Sequence, residues 1–136
     1  EAGPLTRAAG VKAAQTFLDR AFSAGLDVDG EYGSLTRRAL VLAYQKALNS
    51  VYSAGIDEDG EFGPQTRAAV RILRAGSIGL AVSILQAALL AHGICMSGID
   101  AEYGSGTEAG VRAAQGKYGM EADGEAGPET IGKLLT

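Results

Sequence analysis

Apolar residues recur every three or four positions through most of the chain, which is the spacing of a helix with one buried face. In the first such segment they are Val11, Ala14, Leu18 and Phe22. Equivalent stripes predict six helices, over residues 4 to about 24, 34–54, 64–73, 77–92, 105–117 and from 128 to the end. Sustained alternation of β-branched residues, which would predict strands, is absent from the sequence. The predicted fold class is therefore all-α.

An eight-residue pattern, Asp-Gly-Glu-x-Gly-x-x-Thr, separates these helices and is called the turn motif here. Its copies cover residues 29–36, 59–66, 100–107 and 123–130, and residues 1–6 match its second part. In the third copy Ala101 replaces the first glycine. A pattern that returns this regularly indicates a repeated structural unit.

The turn motif has the composition of a turn that starts a helix. Its first glycine permits a left-handed backbone, and its aspartate can accept hydrogen bonds from nearby backbone N–H groups. Pro4, Pro64 and Pro128 stand where a first helical residue belongs, since that position needs no N–H donor. The glycine before each of these positions is also expected to need backbone angles that other residues avoid.

The spacing of the motif predicts two domains. The glutamates of successive copies, beginning at Glu1, are separated by 30, 30, 41 and 23 residues. The long interval indicates that a second group of helices begins there with a first helix of its own. We therefore predict tandem three-helix bundles over residues 1–76 and 77–136, packed together because each buries only a small core. The second helix of the first bundle is predicted to be about two turns longer than its counterpart.

Composition narrows the classes of function. The chain has 136 residues, 46% of them hydrophobic, and a net charge of −4. An acidic chain is a poor partner for nucleic acid or an anionic membrane surface, and no apolar run approaches a membrane span. Because the sequence begins within a turn motif and without an initiator methionine, we expect it to be part of a longer protein.

Catalytic and metal sites find little support in the sequence. Asp27-Val28-Asp29-Gly30 resembles the middle of a calcium loop, but Gly25 and Thr36 occupy its first and last ligand positions. His92 and Cys95 lack the further groups that a nucleophile pair or a zinc site needs. The aspartates suit a glycosidase, yet turn chemistry accounts for each one. We expect no catalytic residue, no metal and no cofactor.

The second half resembles a peptidoglycan-binding domain of the three-helix family. The similarity is carried by Ile84-Leu85-Gln86, His92-Gly93-Ile94, Gly98 to Gly104, Thr107, Val111, Gln115, Gly119 to Gly124, Gly127 to Thr130 and Leu134. The first half resembles the same family through Ala14-Gln15, Gly25 to Gly30, Tyr44-Gln45 and Gly55 to Thr66. It departs at Ile72-Leu73-Arg74, where an aromatic-Gln pair is expected, so its ligand binding stays open.

The resemblance implies a non-catalytic module that binds bacterial peptidoglycan. Such modules occur beside lysozymes, amidases and peptidases, of phage or bacterial origin, including endolysins. It implies a covalently linked wall hydrolase or remodelling enzyme as partner, and an extracellular or cell-wall location. The alternative is a spacer or protein-interaction module that has lost glycan binding.

Candidate ligand-binding residues lie where hydrogen-bond donors and acceptors gather in the second half, which resembles the family more fully. A surface that binds sugars or stem peptides needs exposed polar groups beside a flat apolar contact. In the second half the suppliers predicted by the turn motif and its flanking helices are Gln86, Asp100, Tyr103, Thr107 and Gln115. For Tyr103 and Thr107 the alternative is a structural role, as an inward-packed side chain and a helix-start residue.

Overall fold

The computed structural model describes residues 7–94 and 98–136. In that range the chain forms six α-helices: α1 (Arg7–Phe22), α2 (Ser34–Tyr52), α3 (Pro64–Ala69), α4 (Leu80–Ala91), α5 (Ser105–Lys117) and α6 (Pro128–Leu135). Extended structure among these residues is confined to two isolated β-bridges. The all-α prediction is therefore confirmed. None of the helices described is long and apolar enough to cross a membrane.

The helix starts at Ser34, Pro64, Ser105 and Pro128 agree with the prediction, whereas two other boundaries differ by three residues or more. Helix α3 ends at Ala69 rather than Leu73, and α4 begins at Leu80 rather than Ser77. The predicted start of α1 at Pro4 lies outside the described residues. Helix α2 has 19 residues and α5 has 13, so the predicted difference of about two turns is present.

The segment between α3 and α4, residues 70–79, is called the linker and explains both shifted boundaries. Val70 leaves the helical region with ψ of 132°. Leu73 then exchanges backbone hydrogen bonds of 3.0 and 2.8 Å with Ala126 in the fourth turn motif. Farther along, Tyr103 N–H donates to the Ser77 carbonyl at 2.9 Å. The linker is thus extended because its backbone pairs with both turn motifs of the second half.

Helix α4 lies at the centre of the molecule. All of its residues from Ala81 to Ala91 are buried, as expected for a helix that is apolar on every side. Helices α1 and α2 of the first half pack on it, as do α5 and α6 of the second. The buried residues of both halves form one hydrophobic cluster. The division into domains 1–76 and 77–136 stays a prediction, and the two groups of helices share this core.

Basic side chains from neighbouring helices complete the carboxyl end of α4, which has no basic residue in its own last turn. Arg7 Nε donates to the Ala91 carbonyl at 3.0 Å, and Lys117 Nζ donates to the His92 carbonyl at 3.2 Å. Cations at this position satisfy free carbonyls and interact favourably with the helix dipole. They therefore attach α1 and α5 to the central helix.

Candidate functional site

A glutamine from the preceding helix organises each turn motif. In the third copy, the Gln86 amide nitrogen lies 2.9 Å from Asp100 Oδ1, 3.1 Å from the Glu102 carbonyl and 2.9 Å from Thr107 Oγ1. Its amide oxygen accepts hydrogen bonds of 3.0 Å from the backbone N–H groups of Asp100 and Ala101. Gln86 is fully buried, so it replaces water as the partner of these turn groups.

The same arrangement, which we call the Gln–Asp–Thr network, occurs in all four turn motifs. In each one the glutamine nitrogen reaches the aspartate, the glutamate carbonyl and the threonine, and the aspartate Oδ1 accepts the glutamate N–H at 3.0 Å. The four sets are Gln15–Asp29–Thr36, Gln45–Asp59–Thr66, Gln86–Asp100–Thr107 and Gln115–Asp123–Thr130. Both halves of the chain therefore use one device to fix their turns.

The network keeps its aspartates ionised. For Asp100 the backbone N–H of Glu102 and then the amide of Gln86 lower the pKa of the carboxyl group below its ordinary value of 3.8. Asp29 and Asp123 have lowered pKa values for the same reasons, and for Asp59 the amide of Gln45 is the larger cause. Hydrogen bonds to the charged form of an acid favour that form. These carboxylates are consequently suited to accept hydrogen bonds rather than to donate protons.

The two networks of the second half are joined by Tyr103. Its side chain is 2% exposed, and its hydroxyl donates to the Gly124 carbonyl at 2.5 Å. The Gly124 N–H in turn donates to the Gln115 amide oxygen at 3.0 Å. Burial raises the pKa of Tyr103 above its ordinary value, so the hydroxyl stays a donor. The five residues proposed from the sequence thus belong to one connected set.

The expectation that these residues present free polar groups at the surface is corrected by their burial. Gln86, Tyr103, Thr107 and Gln115 are at most 2% exposed, and their polar atoms bond within the turns. Asp100 alone is exposed, and its Oδ1 is engaged by Gln86 and Glu102. That the five contact a ligand stays a prediction, and the burial of four of them favours a supporting role for those four.

Sequence reasoning missed the network itself, and with it Gln15 and Gln45. The signal was present, since the glutamine precedes the threonine of its motif by 21 residues in three copies. In the fourth copy the interval is 15, because Gln115 lies close to the end of α5 at Lys117 and a short loop follows. The repeated interval between a helix glutamine and the threonine of the next turn motif is the sequence pattern that indicates the network.

Comparison with known proteins bears on the second of these two halves. Residues 79–134 match the family model described as a putative peptidoglycan binding domain. This segment is therefore similar to that family. It contains α4, α5, α6 and the two networks that Tyr103 joins. The resemblance to peptidoglycan-binding domains, predicted from the turn motifs, is thereby confirmed for these residues.

One solved structure similar to the chain is the 2.05 Å crystal structure of a peptidoglycan-binding protein from Clostridioides difficile in complex with glutamine hydroxamate. The two are 41% identical over 47% of this chain and 40% of that one, with a TM-score of 0.45. The chain therefore spans 40% of the length of that protein. Comparison with curated proteins gives no match.

The described part of the chain contains no cluster of side chains that could bind a metal ion. Within residues 7–94 and 98–136, no three His, Cys, Asp or Glu side chains come together to hold an ion. Cys95, one half of the pair considered with His92, lies outside these residues. His92 bonds instead to the Tyr118 hydroxyl and to the Leu134 carbonyl.

Ala101 of the third turn motif occupies a backbone position that favours glycine. Its φ is 67°, whereas the glycines at the same motif position, Gly30, Gly60 and Gly124, have φ of 79°, 77° and 76°. A left-handed backbone destabilises a residue that has a Cβ by about 1–2 kcal/mol relative to glycine. Glycine recovers only part of this, because it loses more conformational entropy on folding than alanine does. We expect Ala101→Gly to raise the free energy of unfolding by about 0.5–1 kcal/mol in chemical denaturation.

Gly124→Ala is the matched control for this prediction. A Cβ at Gly124 would lie 3.0 Å from Arg112 Nε and 3.1 Å from Glu108 Cγ, in addition to the unfavourable φ. We expect it to lower the free energy of unfolding by about 1–2 kcal/mol. Destabilisation by Ala101→Gly would mean that its Cβ contributes more through packing than its φ costs.

The second glycine of each turn motif corrects one expectation. Gly33, Gly63, Gly104 and Gly127 have φ near −101°, which is extended backbone open to any residue. A Cβ would also meet nothing within 4 Å at the first three of these positions. The structure gives no steric reason for glycine there.

Proposed function

We propose that the chain is a non-catalytic module that binds bacterial peptidoglycan and holds a covalently linked wall hydrolase or remodelling enzyme on its substrate. The observation that carries the proposal is the match of residues 79–134 to the peptidoglycan-binding domain family. The first half supports it as well, because its two Gln–Asp–Thr networks have the geometry of those in the matched half. The expected setting is extracellular or the cell wall, in a bacterial or phage-encoded protein.

The state of the aspartates favours binding over hydrolysis. A glycosidase needs one carboxylic acid with a raised pKa to protonate the leaving group. The four aspartates of the turn motifs have lowered pKa values, because each accepts hydrogen bonds from a backbone N–H and a glutamine. They support a structural role for the turns rather than a proton-donating one.

The five residues singled out in the second half fit the proposal as supports for the binding surface. Gln86, Asp100, Tyr103, Thr107 and Gln115 fix the two turns against the linker and against each other. A surface held in one conformation loses less entropy when it binds. Their substitution should therefore weaken binding through the shape of the turns.

We expect the protein to co-sediment with purified bacterial sacculi and to leave them intact. The measurement combines the fraction pelleted with the turbidity of the sacculus suspension over several hours. Binding without clearing is the result that the module requires. Clearing would reveal an intrinsic hydrolase, and failure to pellet would favour the alternative, a spacer or protein-interaction module.

A further inference from the structure

A groove of about 460 Å³ lies where the two halves of the chain meet. Its walls come from the start of α2, from the second turn motif and from the end of α6. The residues that line it are Ser34, Arg37, Arg38, Val41, Gly60, Glu61, Phe62, Gly63, Leu135 and Thr136. The groove thus exists only where the first half packs against the end of the second half.

The floor of the groove is apolar. Val41 and Leu135 are each 2% exposed, and Phe62 is half-buried between them and solvent. Phe62 also packs on α6, since a Cβ built at Gly132 would lie 3.2 Å from its ring. Grooves of a few hundred Å³ with an apolar base and a few polar groups are typical of sites for small organic ligands.

Two consecutive arginines stand over this floor. Arg37 and Arg38 are exposed, and Arg38 lies across Gly60, where a Cβ would be 2.7 Å from its Cγ. The ion pairs among the described residues are Lys46–Glu58 and Arg112–Glu108, so neither groove arginine is in one. Most basic side chains of the described residues are likewise outside ion pairs, so what sets these two apart is their position beside the groove.

The acidic side chains close to the groove do not cancel the positive charge of its two arginines. The charge of Arg38 contributes to the lowered pKa of Asp59, which already accepts hydrogen bonds from Gln45 and Glu61. Glu61 lines the groove with an exposed side chain, and its carbonyl accepts from Gln45 at 3.0 Å. The side chains of the lining therefore carry two positive charges and one negative charge.

We propose that this groove binds a free carboxylate of a short peptide, which in the bacterial wall is a stem peptide of peptidoglycan. The guanidinium fork matches a carboxylate with two parallel hydrogen bonds, and the apolar floor accommodates the aliphatic part of the peptide. Glycan hydroxyls carry no charge to complement the arginines. The inference rests on the proposed function and assigns the first half a direct part in it.

The test uses a synthetic stem tetrapeptide with free carboxylates and the same peptide with its carboxylates amidated. Isothermal titration should give at least about tenfold tighter binding of the free acid, since a charge-assisted hydrogen bond contributes this much. The double variant R37Q/R38Q should lose that preference. The control R20Q/R74Q removes two exposed arginines elsewhere and should keep it. Circular dichroism verifies that both variants are folded.

Sedimentation with sacculi separates this inference from the proposed function. If R37Q/R38Q pellets as the parent does and both peptides bind equally, the groove assignment is wrong while wall binding stands. If the parent fails to pellet, both are wrong. Sedimentation is repeated with sacculi from which the teichoic acids have been removed. Loss of binding to these sacculi would mean that the groove binds phosphate groups, and the peptide proposal would then be wrong.

Discussion

Gln86→Met is expected to lower the free energy of unfolding by about 3–4 kcal/mol. Methionine fills a similar volume but donates and accepts none of the hydrogen bonds that the glutamine makes to Asp100, Ala101, Glu102 and Thr107. Each buried polar group left without a partner costs about 1–3 kcal/mol, and the exposed edge of the turn recovers part of this through water. Urea denaturation followed by circular dichroism measures the change.

Gln65→Met is the matched control. Gln65 is exposed and accepts one hydrogen bond, from the Asp57 N–H at 3.0 Å. Its substitution should change stability by no more than about 0.5 kcal/mol, as for most surface positions. Equal effects of the two substitutions would show that the buried amide contributes little beyond its volume.

His92→Ala is expected to lower the free energy of unfolding by about 2–4 kcal/mol at neutral pH. The imidazole Nε2 lies 2.8 Å from the Leu134 carbonyl, so Nε2 carries the proton and Nδ1 accepts the Tyr118 hydroxyl at 2.6 Å. Its ring also contacts Tyr32 of the first half, with centroids 5.4 Å apart. Removing the ring leaves a cavity and two polar groups without partners.

The pH dependence of stability checks the same residue. Burial lowers the pKa of His92 below its ordinary value of 6.5, and the charges of Arg7, Lys117 and Lys133 lower it further, against the hydrogen bond to Leu134. Between pH 6.5 and the lower folded pKa, the unfolded chain therefore binds a proton that the folded chain does not. Stability should fall with acidification through this interval in the parent but not in His92→Ala. Parallel pH profiles would contradict this account.

Helix starts were predictable from the sequence because their causes are local. Each turn motif contains both the turn and the first helical residue, which is Ser34, Pro64, Ser105 or Pro128. The end of α3 was not predictable in this way. It depends on the backbone pairing of Leu73 with Ala126, which is 53 positions away along the chain, and nothing in the sequence near Leu73 specifies that partner.

The candidate site shows the same division between local and distant causes. Asp100, Thr107 and Gln115 could be singled out because they belong to a repeated motif or its flanking helix. The burial of Thr107 and Gln115 could not be predicted, since it depends on how the helices and Tyr103 pack. The groove beside Arg37 was even less predictable from the sequence, because α6 of the other half supplies one of its walls.

The pairing of the linker also determines how much of the chain could be grafted onto another enzyme. A graft of residues 79–134 would leave Leu73 behind, so Ala126 would lose both bonds of its bridge. Helix α4 would expose to water the side on which α1 rests. The smallest transplantable unit is therefore expected to begin with α1 and include the linker, so it is larger than the segment that the family defines.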